Sequence, residues 1–213
     1  DDARQPLYSH RKACYDLVHS ILQAVDADTN SQPDMIDGRL TLAATKRNEA
    51  HSVVNDSDDE LFQFDLYDWY LAQGWENMLL AVDSPFVVQY LEKSSHMDPQ
   101  RADLLWRFHV HHENFYEAAK VQFSLAQSQF EISLAKRIEY LSRAKANASA
   151  HTVGVGRAAR TVTLYEVTEL LDVANIQQEL LHCVKAETRG DADTKAKLVQ
   201  ELDGPILDIT RVS

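Results

Sequence analysis

Turn residues are scarce in this chain. Of 213 residues, 6 are glycine and 5 are proline, about 5% together where average usage is about 12%. Sandwiches, barrels and βαβ proteins turn often and draw on those residues, so the shortage argues against all three. Cysteine is also sparse. Cys14 and Cys183 lie far apart inside helical patterns, which suits a reducing compartment better than a disulfide framework and leaves one long-range bridge open. No run approaches 18 apolar residues, and Asp1-Asp2-Ala3-Arg4 begins no signal-peptide apolar region, so the expectation is a soluble, intracellular protein. Positive charge is the last shortage: 21 Lys and Arg face 33 Asp and Glu, a net charge of −12. No more than two basic residues are adjacent. Such a surface repels phosphate backbones and anionic lipid, so nucleic acid is not an expected partner.

What the chain has in quantity is helix formers, 24 Ala and 24 Leu. Charged residues at 25% and hydrophobic residues at 45% are ordinary for a folded domain, so the acidity does not signal disorder. All-α is the expected class. Chains of this length bury roughly 70% of their unfolded surface, enough for a real core.

The apolar period is 3.6 residues nearly throughout. Tyr8 to Val25 carries Cys14, Leu17, Val18, Ile21, Leu22 and Val25 on one stripe. Asp26 to Gly38 is polar, contains Pro33 and reads as a loop, with a second helix over Arg39 to Val54. Ser57-Asp58-Asp59-Glu60 has the form of a capping box, with Ser57 as the N-cap. The helix after it stops at Gly74, the residue type preferred in the left-handed position that ends helices. Trp75 to Val82 is a short helix. Ser84-Pro85 and Asp98-Pro99 each place an N-cap before proline at the first helical position, opening helices at about 85–94 and 99–112. Phe115 to Ser128, Ser133 to Ala150, Ala158 to Glu187 and Thr194 to Asp203 follow. Ile206-Leu207-Asp208-Ile209 begins one more apolar stripe that the chain cuts off, so residues 1–213 are expected to be a single fragment of a longer assembly. Nine or ten helices joined by capped turns fit a bundle or a helix-pair solenoid. Phe115, Tyr116, Ala118 and Ala119 set small residues beside aromatic ones, which lets paired helices approach closely.

The chemistry-bearing patterns are weak. His109-x-His111-His112-Glu113 puts two imidazoles one helical turn apart, yet it lacks the i, i+4 pair of His-Glu-x-x-His and implies no distant third ligand. A solvated helix end explains it without metal. Asp26-x-Asp28-x-Asn30 with Asp37 mimics part of a calcium loop, but Ser31 stands where the sharp turn needs glycine and Pro33 intrudes. Gly154-x-Gly156-x-x-Ala159 matches a dinucleotide fingerprint on paper and lacks the buried strand that must precede it. No nucleophile motif is present. The acidic run Asp56, Asp58, Asp59, Glu60 suits a helix N-terminus better than acid–base work. Asn55-Asp56-Ser57 and Asn147-Ala148-Ser149 are acceptor sequons that mean nothing outside a secretory lumen. Phe62, Phe64, Tyr67, Trp69, Tyr70 and Trp75 could line a peptide groove, although core packing accounts for most of them. No catalytic, cofactor or metal residue is assigned.

A longer pattern does carry identity. Glu60-Leu-Phe-Gln-Phe-Asp-Leu-Tyr-Asp-Trp-Tyr-Leu-Ala-Gln-Gly74, Asp83-Ser-Pro-Phe86, Asp103-Leu-Leu-Trp-Arg107, Phe115-Tyr-Glu-Ala-Ala-Lys-Val121 and Lys136-Arg-Ile-Glu-Tyr-Leu-Ser-Arg-Ala-Lys-Ala-Asn147 occur in that order, continuing through Glu169-Leu-Leu-Asp172. They resemble the C-terminal α-helical solenoid of the large inner-ring scaffold nucleoporins of the one-fifty-five/one-seventy type. The resemblance implies a nuclear pore complex component at the nuclear envelope whose N-terminal β-propeller is absent here. It also implies partners: linker nucleoporins captured through short linear segments, and other inner-ring scaffold nucleoporins. Membrane contact belongs to the propeller in that family, so none is expected from this stretch. No catalytic residue or cofactor carries over.

The residues themselves agree with an assembly role, since a solenoid offers a long surface rather than a catalytic cleft. Its acidity would favour basic segments. Two other classes stand beside it: a helical-repeat adaptor of a vesicle coat, and a helical metal-dependent hydrolase built on His109, His111 or His112 with Glu113.

Overall fold

Helix starts in this chain are set by side-chain oxygens that take otherwise orphaned backbone N–H groups. Thr41, Asp59, Asp98, Ser133 and Asp191 accept from the N–H of Ala44, Phe62, Gln100, Lys136 and Thr194 respectively. The structure, a computed structural model, describes residues 4–30, 33–187 and 191–208. It divides into two compact units, residues 1–90 and 91–213.

The first unit contains α1 (Arg4–Thr29), strands β1 (Met35–Ile36) and β2 (Arg39–Leu40), α2 (Leu42–Asn55), α3 (Glu60–Ala72), α4 (Glu76–Ala81) and most of α5 (Pro85–Ser95). Helix α1 packs on α2 and α3, and α3 on α4. Leu22, Ala44, Phe62, Leu66, Tyr67, Tyr70, Leu79 and Leu80 form its interior.

The second unit contains α6 (Pro99–His111), α7 (Phe115–Gln127), α8 (Leu134–Ser149), α9 (Arg157–Ala186) and α10 (Ala192–Leu202). Within it each helix packs on its neighbours in sequence. Ala118, Ala119, Ala126, Ala144 and Ala174 are fully buried and leave room for α7, α8 and α9 to approach closely. The expected all-α class holds, with ten helices and one small hairpin among the described residues. Helices stacked on sequence neighbours are the organisation of an α-helical solenoid.

Several local expectations are corrected. Residues 26–38 are not one loop: α1 continues to Thr29, and Met35–Leu40 form an antiparallel hairpin in which Met35 faces Leu40. Asp37 and Gly38 both have positive φ, 50° and 75°, as a two-residue Asp-Gly hairpin turn requires. The hairpin is tied down by Arg47, whose guanidinium donates twice to Asp34 at 3.0 and 2.9 Å. The N-cap is displaced by two residues, and with Phe62 at the third helical position no reciprocal capping box forms. Asp59, not Ser57, is the N-cap of α3, and the Ser57 hydroxyl accepts from the Asp59 N–H instead. A carboxylate held by Arg11 and Tyr15 at 2.7 and 2.9 Å is the better anchored acceptor. The stripe on α1 is rotated as well: Leu17 and Ile21 are exposed, while His19, Asp26 and Thr29 face inward. At the C-terminal end residues 206–208 are not helical, and the rest of that expected stripe lies outside the described residues. Gly74 takes the left-handed conformation anticipated for it, φ 75°.

Candidate functional site

The sequence-flagged clusters do not assemble into catalytic centres. On α6, His109 points inward at 7% exposure, and His111 is exposed. The His112 ring lies against Phe108, with centroids 4.2 Å apart, and Glu113 sits beyond the helix at φ 59°. Among the described residues no group of three or more His, Cys, Asp or Glu is placed to hold a metal ion, which leaves the hydrolase alternative without a ligand set. Asp26 and Asp28 lie on α1 rather than in a loop, and Ser31 falls outside the described residues. Gly154 is a left-handed turn residue and Gly156 the N-cap of α9, reached from α8 with no strand between. Both cysteines are free, exposed thiols. Among the described residues no helix is long and apolar enough to cross a membrane.

The aromatic run packs inward, with Phe62, Tyr67 and Tyr70 in the core and Phe64, Trp69 and Trp75 half-buried. Tyr67 and Tyr70 are fully buried and Phe62 nearly so; Trp69 stacks on His19 at 4.8 Å and meets Trp75 edge-on at 5.1 Å. Beneath it lies a polar network. His51 Nε2 is 3.2 Å from the Asp26 carboxylate, its Nδ1 is 3.0 Å from the Tyr70 hydroxyl, and that hydroxyl reaches Asn55 Oδ1 at 3.2 Å. Buried polar groups must be paired in this way, so the constellation joins α1, α2 and α3. Asp26, His51 and Tyr70 are each at most 6% exposed, so the centre of the network is closed to solvent.

Two concave surfaces stand out among the described residues. In the first unit, Val18, Ile21, Leu22, Ala50, Val53 and Val54 line an apolar groove between α1 and α2, with Lys46 and Glu49 at its edge. In the second unit a cleft of about 870 Å³ lies between the end of α5, α6 and α7. Its floor is Ala102, Leu105, Val121 and Leu125, and its mouth carries Glu92, His96, Glu117, Lys120 and Ser124. Its far wall is the turn Gln127–Phe130 that follows α7.

That wall is held from behind by a residue whose role is invisible in sequence. Arg137 is fully buried on α8. It donates to the carbonyls of Ala126, Ser128 and Phe130 at 2.8, 2.7 and 2.8 Å. Burial pushes its pKa down, but a guanidinium stays charged in proteins. The cation therefore satisfies the carbonyls that α7 leaves open at its C-terminus. Of the residues that line the cleft itself, Ser95 and His109 are polar and buried, and His109 is the titratable one. Burial holds its imidazole below the ordinary value, with Lys120 and His112 adding to the effect and Glu117 opposing it. Its Nδ1 has no hydrogen-bond partner among the described residues.

The sequence model for the C-terminal region of non-repetitive, WGA-negative nucleoporins matches residues 1–212. The chain belongs to this nucleoporin family. It is 46% identical over 210 residues to Nucleoporin NUP170 of Chaetomium thermophilum, covering 99% of this chain and 15% of that protein. Against Nucleoporin NUP170 of Saccharomyces cerevisiae the identity is 30% over 219 residues, covering 100% of this chain and 14% of that protein. Among solved structures, the complex of the Chaetomium thermophilum Nup170 C-terminal domain with Nup145N superposes at a TM-score of 0.88 with 45% identity. That match covers 100% of this chain and 41% of that one. The chain thus spans a small part of the relatives it matches.

Proposed function

We propose that this chain is one stretch of a longer α-helical solenoid in a scaffold nucleoporin of the nuclear pore inner ring. In this reading it holds short linear segments of linker nucleoporins and packs beside other inner-ring scaffold proteins at the nuclear envelope, supporting nucleocytoplasmic transport. The role is non-catalytic and takes no cofactor. The observation that carries it is the likeness to a nucleoporin domain that has been solved in complex with Nup145N. The physical features are consistent: a stack of capped helices presents continuous surface for assembly, and a net charge of −12 favours encounter with basic segments.

The test is a pull-down of the purified chain on immobilised, overlapping segments of Nup145N. Retention by one segment or a few neighbouring ones supports docking. Failure of every segment to retain the chain would remove the linker-binding part of the proposal.

A further inference from the structure

We propose that this stack locks its longer turns from one fixed sequence position: the fourth residue after a helix N-cap reaches back and holds the carbonyls that end the preceding helix. Such locks keep each helix in one register on its predecessor, whatever the chain binds.

Among the described residues four helices make the same contact. Asp59, Ser133, Gly156 and Asp191 are the N-caps of α3, α8, α9 and α10, and four places on stand Gln63, Arg137, Arg160 and Lys195. Gln63 donates to the carbonyls of Val54, Asn55 and Ser57 at the end of α2, at 2.9, 3.1 and 2.9 Å. Arg137 holds three carbonyls at and beyond the end of α7. Arg160 donates to Ala150, the C-cap of α8, at 3.2 Å. Lys195 donates to Lys185 and Glu187 at the end of α9, at 2.9 and 2.6 Å. Helix geometry explains the position. Side chains lean toward the helix N-terminus, so a long one placed a turn inside overlies the N-cap and points at the connection before it.

Turn length decides which connections carry a lock. The locked ones between helices are residues 56–59, 128–133, 150–156 and 187–191, each of four residues or more. Residues 73–75, 82–84, 96–98 and 112–114 join helices with three residues apiece. There the N-caps are Trp75, Ser84, Asp98 and Asn114, and the fourth residues on are Leu79, Val88, Ala102 and Ala118, none with a side-chain donor. The short turns close helix ends with their own backbones: the N–H groups of Trp75, Asp98 and Asn114 donate to the carbonyls of Tyr70, Ser94 and His109. A longer turn leaves more carbonyls open and has more conformations to lose. A donor anchored on the next helix pairs the first and restricts the second.

Residue-resolved hydrogen exchange on the full chain tests the two half-buried donors, Arg160 and Lys195, whose replacement spares the core. Arg160→Met should speed exchange at the Ala150 and Val155 amides, and Lys195→Met at the Glu187 amide. The expected change is about tenfold, the effect of losing one charge-assisted hydrogen bond on local opening, with α6 and α7 unchanged. Arg160→Lys and Lys195→Arg keep a donor and should stay near the parent rate. Lys120→Met and Arg143→Met remove long cations that pair with Glu117 and Glu139 elsewhere on their helices, and should leave these turn amides at the parent rate. Unchanged exchange in both methionine variants would overturn the proposal, as would acceleration spread equally over all helices. So would conservative variants as fast as the methionine ones, or turns loosened equally by Lys120→Met and Arg143→Met.

Discussion

The Nη1 group of Arg137 on α8 lies 2.8 Å from the carbonyl oxygen of Ala126 in the last turn of α7. Its neighbours Ser128 and Phe130 complete a three-carbonyl clamp. Replacing Arg137 by methionine keeps the apolar stem but leaves buried carbonyls unpaired. Losing hydrogen bonds to a charged group should cost about 3 kcal/mol. Lysine should recover part of that, because one ammonium cannot reproduce the planar fork. Urea titration of both variants checks this; a methionine variant as stable as the parent would show that water replaces the clamp without loss.

Asp59 links the start of α3 to α1, accepting from the Phe62 N–H, the Arg11 guanidinium and the Tyr15 hydroxyl. Asp59→Ala should cost about 1–2 kcal/mol, the upper range for an N-cap, and Ser57→Ala markedly less. Burial pushes this carboxyl up, but Arg11, Tyr15 and the Phe62 N–H together hold it below the ordinary carboxylate value. Its contribution is therefore fully present above that ordinary value and disappears as pH falls through the lower folded one. The difference between parent and Asp59→Ala in denaturant titrations should shrink in strong acid; a difference that persists there would contradict the assignment.

His19 and His109 define a second, higher window. Burial lowers both, against the pull of Asp65 and Asp16 on His19 and of Glu117 on His109. The Asp65 carboxylate is 3.4 Å from His19 Nε2 but not in hydrogen-bond geometry. A group with a lowered folded value binds protons more readily when unfolded, so stability should decline as pH drops below about 6.5. Chemical denaturation at pH 7.5 and 5.5 reads the slope. His109→Gln should flatten it, and an equally steep slope in that variant would show His109 protonated within the fold.

How much of this was legible beforehand follows from what kind of signal each feature leaves. Pro85, Pro99 and Gly74 act through their own backbones, so the boundaries beside them were readable. Asp37-Gly38 is a hairpin signal of the same kind, but a weak one because the strands on either side are only two residues long. Asp26, His51 and Tyr70 could not be read, since a buried hydrogen-bond network depends on α1, α2 and α3 meeting in space. Arg137 belonged to the segment that marks the family, yet nothing in a helical stripe tells a buried arginine from a solvated one. The cleft was equally hidden, because its floor residues follow the same period as ordinary core.

Gln177 extends this to the C-terminal end. From α9 its amide donates to the carbonyls of Leu202 and Pro205 at 2.8 and 3.0 Å, and its Oε1 accepts from the Leu207 N–H at 2.8 Å. Gln177→Ala removes all three contacts, so it should cost roughly 1–3 kcal/mol and speed hydrogen exchange at Leu207. Unchanged exchange there would mean that this amide is protected by something other than Gln177.

Calorimetric titration of the full chain with the Nup145N segment it retains best tests the central claim most directly. Docking to one preformed site predicts saturable heat with about one segment per chain, weakening as salt rises. Heat that never saturates, or no heat at temperatures on both sides of 25 °C, would contradict the assignment of this stretch as a linker-binding part of the scaffold.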